Sequence, residues 1–179
     1  MIAKSPNTEA FTQTVISWPV KTSFIGSNWQ EQGIAQVLVA RELPQKTFMI
    51  GMYLVDLWCL GVKDATMEIN IEGRELLSLE HTISIAGEGL QILSYEDARS
   101  IVFGALKYAA NHGFSPHHDW DLAKHVIEPN RSFEDKFEFG RNGKPFYAAG
   151  PYDKPVYKEY VKKVKAAGGR WSTPKNDEW

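Results

Sequence analysis

The sequence predicts a single α+β domain over residues 1–179, in which a mainly antiparallel sheet carries one long helix and two shorter helices. Its 179 residues are enough to bury a core without disulfides. The composition, 43% apolar and 23% charged, is that of a folded globular chain. The strand-like segments come first and the strongest helix follows them, an order unlike that of alternating βαβ units.

The N-terminal residues 1–12 are polar, and we expect them to be flexible. Residues 15–18 have the β-branched and aromatic composition of a short strand. Pro19 would end this strand, because proline cannot donate a ladder hydrogen bond.

The clearest strand signal is a hairpin of residues 35–42 and 47–56. Residues 43–46 separate the two apolar segments, and Pro44 among them presets the φ angle of a tight turn. The second segment is apolar at almost every position, as in a strand covered on both faces at the centre of a sheet. Gly51 within it indicates a bulge or a close neighbour.

Residues 65–71 predict a further strand and residues 73–81 a short helix. The strongest helix signal spans residues 95–112, with Ser94 as the N-cap and Gly113 as the left-handed residue after its end. Its apolar stripe, which would face the sheet, consists of Ala98, Ile101, Val102, Ala105, Tyr108 and Ala109. Four polar side chains fall outside the stripe: Arg99, Ser100, Lys107 and Asn111.

Two shorter helices are predicted in the C-terminal third. Asp119 would cap the helix of residues 120–127, and Asp153 the helix of residues 154–167. Residues 172–179 are expected to be flexible.

Residues 137–148, between these helices, predict a hairpin. Its two-residue turn is Asn142-Gly143, since both residues tolerate the positive φ that a type I′ turn requires. In this register Phe139 faces Phe146 across the strands.

The composition also narrows the compartment. Cys59 is the only cysteine, which excludes a disulfide framework and fits a reducing cytosol. The N-terminus lacks the apolar segment of a signal peptide. The longest apolar stretch, residues 49–60, contains Asp56 and is shorter than the ~20 residues of a membrane span. We therefore expect a soluble, cytoplasmic protein without membrane contact.

Charge is unevenly distributed along the chain. Residues 1–135 carry 10 basic and 17 acidic side chains, whereas residues 136–175 carry 10 basic and 3 acidic ones. The basic segment predicts either an anionic partner, such as nucleic acid or an acidic protein, or docking on the acidic body of the chain itself. Six side chains could follow the phosphates of a nucleic acid, with a solvated face as the alternative: Arg141, Lys144, Lys154, Lys158, Lys162 and Lys165.

A metal site is a second possibility. Asp56 ends a very apolar strand, where a carboxylate costs desolvation unless a cation or donor pairs with it. A divalent ion held by Asp56, Asp64 and His117 would satisfy both carboxylates and support phosphoester hydrolysis. His118 could complete this site or act as the base. The alternative is that Lys63 or a backbone N–H pairs with one carboxylate and water with the other.

Cys59 is a third candidate, as a catalytic nucleophile. It would need a histidine close in space. A buried thiol beside a tryptophan, here Trp58, is more often a small apolar side chain.

Three blocks of the sequence, GMYLVDLWCLGVKDA, GALKYAANHGFSPHHDWDLAKHVI and FGRNGKPFYAAGPYD, together resemble a bacterial protein family to which no activity is assigned. The resemblance covers roughly residues 33–153, and the first block is the most distinctive. It implies a bacterial cytosolic protein and transfers no catalytic or binding residue.

Three functions are therefore open. The first is an accessory protein that binds an anionic partner through its basic C-terminal region. The second is a metal-dependent hydrolase that uses Asp56, Asp64 and His117 or His118. The third is a cysteine hydrolase at Cys59. A divalent metal ion is the one cofactor that these alternatives suggest.

Overall fold

A five-stranded antiparallel sheet forms the centre of the protein, in a computed structural model that describes residues 6–150 and 153–172. Its strands are β1 (Val20–Gly26), β2 (Ile34–Glu42), β3 (Phe48–Asp56), β4 (Gly61–Ile71) and β5 (Leu90–Ile92). Their spatial order is β4-β3-β2-β1-β5, and every neighbouring pair is antiparallel. The predicted α+β class is confirmed.

Helices cover both faces of this sheet. They are α1 (Pro6–Ser17), α2 (Trp29–Gln32), α3 (Gly73–Ala86), α4 (Tyr95–Asn111), α5 (Trp120–Ala123) and α6 (Tyr157–Ala166), and a 3₁₀ turn (Lys124–Ile127) follows α5. Two short strands, β6 (Phe146–Ala148) and β7 (Arg170–Ser172), form a separate parallel pair. Among the described residues, no helix has both the length and the apolar character needed to cross a bilayer.

The predicted central hairpin is confirmed. The β2–β3 register runs from Ile34 opposite Asp56 to Glu42 opposite Phe48 without a shift. β3 lies between β2 and β4, as its apolar composition predicts. Gly51 has a close neighbour, since a Cβ there would lie 2.2 Å from the Tyr53 hydroxyl.

The two faces of the sheet bury different clusters. Alternate residues of β2 point to opposite faces, because side chains alternate along a strand. Val37 and Val39 pack in the cluster that contains the α4 stripe, whereas Leu38 and Ala40 pack in the cluster that contains Leu76 and Ile83 of α3.

The long helix α4 begins at the predicted N-cap, where the Asp97 N–H donates to Ser94 Oγ at 3.0 Å. Five members of its stripe are at most 2% exposed: Ala98, Ile101, Val102, Ala105 and Ala109. Arg99 and Ser100, which the spacing places outside the stripe, are buried as well. Residues 127–132 are the cause, because four of their carbonyls accept hydrogen bonds from the Arg99 guanidinium.

The predictions for the N-terminal segment are wrong from residue 6 onward. Residues 6–17 form α1, neither a flexible end nor a strand, and residues 1–5 lie outside the described residues. Phe11 and Val15 of α1 pack against the main core, and Thr12 Oγ1 lies 2.7 Å from His125 Nδ1. These long-range contacts override the local β-branched composition.

The predicted hairpin of residues 137–148 is wrong except at its turn. Asn142 and Gly143 have the positive φ values expected, 56° and 74°, but only Arg141 and Lys144 pair across the turn. Phe139 packs on α4, and the Phe146 ring lies against Trp58, so these two phenylalanines do not face each other.

The two shorter predicted helices differ from expectation at their starts. Residues 120–127 divide into α5 and the 3₁₀ turn, and the Asp119 side chain makes no capping hydrogen bond. α6 begins at Tyr157, where the Asp153 carbonyl, not its carboxylate, accepts the first N–H groups. Ser172 ends β7, and the rest of the predicted flexible tail lies outside the described residues.

Candidate metal centre and adjoining cleft

The loop after α4 attaches two histidines to the outer strand of the sheet. Gly113 adopts a φ of +79° at the helix end, and the Phe114 N–H donates to the Ala109 carbonyl at 3.0 Å. The His117 N–H then donates to the Val62 carbonyl of β4 at 2.9 Å. This bond places the histidines beside the side chains of β4.

Four side chains come together there, and we call them the metal group: Asp64, His117, His118 and Asp119. His117 Nδ1 lies 3.6 Å from Asp64 Oδ1 and 3.5 Å from Asp119 Oδ2. His118 Nε2 lies 3.3 Å from Asp119 Oδ1. Tetrahedral ligands at about 2.0–2.1 Å from an ion such as Zn²⁺ are about 3.3–3.4 Å apart. The spacing of the metal group is therefore close to that of one coordination shell.

The hydrogen bonding of His117 also suits a ligand. The Asp119 N–H points at His117 Nδ1 from 3.4 Å, so this nitrogen is placed as an acceptor with a free lone pair. A metal ion requires the same lone pair. The His117 side chain is 32% exposed and those of Asp64, His118 and Asp119 more than half exposed, so an ion could enter directly from solvent.

A cleft of about 340 Å³ opens beside the metal group, and we call it the metal cleft. It lies between β4, the histidine loop and α6. Leu60, Phe114 and Tyr160 are apolar or aromatic side chains along it, and Lys63, His117 and His118 line it with polar atoms. This volume falls within the range of small-molecule sites.

Asp56, predicted as a ligand with Asp64 and His117, does not join the metal group. It is 4% exposed, and its Oδ1 accepts hydrogen bonds from the N–H groups of Trp58 and Cys59, both at 2.9 Å. Burial raises the pKa of Asp56 to about 6, against the opposing effects of Lys63 and of these backbone donors. The carboxylate therefore stabilises the turn between β3 and β4, and Asp119 takes its place beside the histidines.

Asp119 is the member of the metal group that sequence reasoning assigned to another role. Its position before a helix suggested an N-cap, but its carboxylate is directed at His117 and His118. The density of imidazoles and carboxylates in residues 117–121 was the available signal. The walls supplied by α6 had no local signal, because they depend on packing between distant segments.

Cys59 is fully buried in a cluster with Leu60, Ala109, Phe114, Tyr147 and Val164. Burial raises the pKa of its thiol far above the usual value. Within the described part of the chain, its sulfur has no hydrogen bond to a histidine. A nucleophile needs access to substrate and a base, and Cys59 has neither among these residues.

The lysines predicted to contact nucleic acid form an exposed set that we call the lysine row: Lys154, Lys158, Lys162 and Lys165. None of them lies within ion-pair distance of a carboxylate among residues 6–150 and 153–172. Lys163, between them, does pair with Glu159, at 2.7 Å. The lysine row therefore does not dock on the acidic body of the described structure.

No known protein family, curated protein or solved structure matches the chain. The geometry of the metal group, the metal cleft and the basic side chains is therefore the basis for assigning a function.

Proposed function

We propose that the protein is a divalent-metal-dependent hydrolase that acts on a phosphoester in the metal cleft. The supporting observation is the spacing of the metal group, whose ligand atoms lie 3.3–3.6 Å apart at the mouth of a cleft that also contains Lys63. Histidine and carboxylate ligands with open positions are the usual arrangement of hydrolytic metal sites.

Each residue has a role in this proposal. Asp64, His117 and Asp119 would hold the ion, which supplies a bound water of lowered pKa and polarises a phosphate oxygen. The Lys63 ammonium would bind another phosphate oxygen. The water oxygen forms a new bond to phosphorus as the ester P–O bond breaks, and the departing alkoxide takes up a proton. His118 would complete the metal shell or accept the proton of the water.

We expect tag-free protein to bind one Zn²⁺ or Mn²⁺ per chain, measured by isothermal titration calorimetry. His117→Ala with Asp119→Asn should weaken this binding at least 100-fold, because it removes two of the ligands. His81→Ala with Glu68→Gln is the matched control, since both residues are exposed and lie outside the metal group. It should bind metal as the wild type does.

Two results would contradict different parts of the proposal. Failure to bind either ion, or equal binding by the double variant, would remove the metal site. Metal binding without Mn²⁺-dependent hydrolysis of bis(p-nitrophenyl) phosphate would leave the site and remove phosphodiester hydrolysis.

A second candidate function is that of an accessory protein that binds nucleic acid without catalysis. The observation that favours it is the lysine row, whose charges have no carboxylate partners in the described structure. We expect Lys158→Gln with Lys162→Gln to reduce the steepness with which duplex DNA binding weakens from 50 to 200 mM salt, by about 0.9 in the logarithmic slope per lost contact. Filter-binding titrations at several salt concentrations measure this. Binding that is insensitive to salt would exclude the lysine row as a phosphate contact.

A further inference from the structure

A second cleft, of about 610 Å³, lies at the hairpin tip and is walled by three cations: Arg141, Lys144 and Arg170. We call it the basic cleft. It shares no lining residue with the metal cleft, and the end of α6 leads into it through Gly168 and Gly169.

The charge of the basic cleft is not compensated within the described structure. The described residues that line it include no acidic side chain. None of its three cations lies within ion-pair distance of a carboxylate in residues 6–150 or 153–172. Like charges in one concavity repel each other and concentrate a positive potential, which attracts anions.

The cations are held by two segments that are fastened together. Across the tip, the Arg141 N–H donates to the Lys144 carbonyl at 2.8 Å, and the Arg170 N–H donates to the Pro145 carbonyl at 2.9 Å. Gly169 allows this approach, because a Cβ there would lie 2.3 Å from the Pro145 carbonyl oxygen. The cleft therefore exists before any ligand arrives.

Arg141 is also oriented in advance. The carbon of its guanidinium lies 4.7 Å from the centre of the Phe146 ring and 5.1 Å from that of the Trp58 ring. Such cation–π contacts restrict the side chain and leave its N–H groups as donors. A planar guanidinium donates two parallel hydrogen bonds to a phosphate.

We propose that the basic cleft binds the phosphate of a nucleotide, either free or at the end of a single strand. The cleft is much larger than a phosphate alone and lies in the range of nucleotide-sized ligands. The lysine row leads towards it along α6, over about 16 Å at the helical rise of about 1.5 Å per residue, so a strand could continue from the cleft. The site requires no metal and is independent of the proposed hydrolase.

Fluorescence anisotropy tests this with a 5′-phosphorylated, 3′-fluorescein-labelled oligothymidylate of 12 residues, in EDTA and 50 mM NaCl. We expect Arg141→Gln with Arg170→Gln to weaken binding at least tenfold. Lys46→Gln with Arg74→Gln changes the net charge equally at side chains that are 81% and 85% exposed, and it should weaken binding less than twofold. Lys144→Gln, a single exposed change, should weaken binding at least threefold and guards against misfolding of the double variant.

Competition identifies the source of the phosphate. Displacement of the probe by AMP assigns the cleft to free nucleotides, whereas displacement by the unlabelled phosphorylated strand alone assigns it to strand ends. Absence of binding at 1 mM protein, or equal weakening by the control and the cleft variants, would overturn the proposal. Because EDTA is present, these results do not depend on the metal group.

Discussion

Arg99→Met is expected to lower the free energy of unfolding by about 3–5 kcal/mol, because it removes the charged donor to a buried set of carbonyls. The Arg99 side chain is 0% exposed. Its guanidinium donates to the carbonyls of Ile127, Glu128 (2.7 Å), Arg131 (2.6 Å) and Ser132 (3.3 Å). Methionine fills much of the same volume but offers no donor, so these acceptors lose their partners.

Urea denaturation at neutral pH measures the loss. Arg74→Met is the matched control, since the Arg74 side chain is 85% exposed and its change should stay within about 0.5 kcal/mol. For a chain of this size, the Arg99 variant should also melt about 10 °C lower or more. A loss below about 1 kcal/mol would mean that water or other donors replace the guanidinium.

Asp56→Asn is expected to remove a pH dependence of stability of about 3 kcal/mol. Burial raises the pKa of Asp56 from 3.8 to about 6 in the folded protein. In the unfolded chain this carboxyl has its ordinary pKa of about 3.9. Between about pH 4 and pH 6 the folded state therefore binds more protons than the unfolded state. Stability from this group is fully present below about pH 4 and is lost as the pH rises through about 6.

The amide introduced by the Asp56→Asn substitution would keep an oxygen that accepts from Trp58 and Cys59 without the buried charge. Above pH 6 the variant should therefore be more stable than the wild type, by at most about 3 kcal/mol because an amide accepts more weakly than a carboxylate. Urea titrations from pH 4 to pH 8 measure the difference. Glu68→Gln, an exposed charge loss, is the control. A variant that is less stable than the wild type at pH 8 would show that the backbone bonds outweigh the desolvation.

The parts of the fold that could be predicted are those in which local pattern and burial agree. The β2–β3 hairpin and α4 have this property, because their apolar periodicity matches the faces that the sheet buries. Failures occur where a distant segment decides the outcome. The composition around Val15 favours a strand, but packing of α1 against the core and His125 makes it helical. Arg99 is polar and still buried, because residues 127–132 cover it.

The candidate site was partly visible for the same reason. His117 and His118 are recognisable as neighbours in sequence, and Asp64 was a reasonable partner at a strand bend. The bond from the His117 N–H to the Val62 carbonyl, which brings them together, has no signature in local composition. Asp56 and Asp119 exchanged roles because backbone donors in the β3–β4 turn satisfy the first and leave the second free to face the imidazoles.

The burial of Cys59 has a practical consequence. Its cluster includes Val164 of α6 and Tyr147 of β6, so the thiol is sealed beneath the segment that walls one cleft and leads into the other. Detachment of that segment would uncover a sulfur that is otherwise shielded from reagents. The chain thus contains a native chemical gauge of how firmly its C-terminal helix is seated, with no added label.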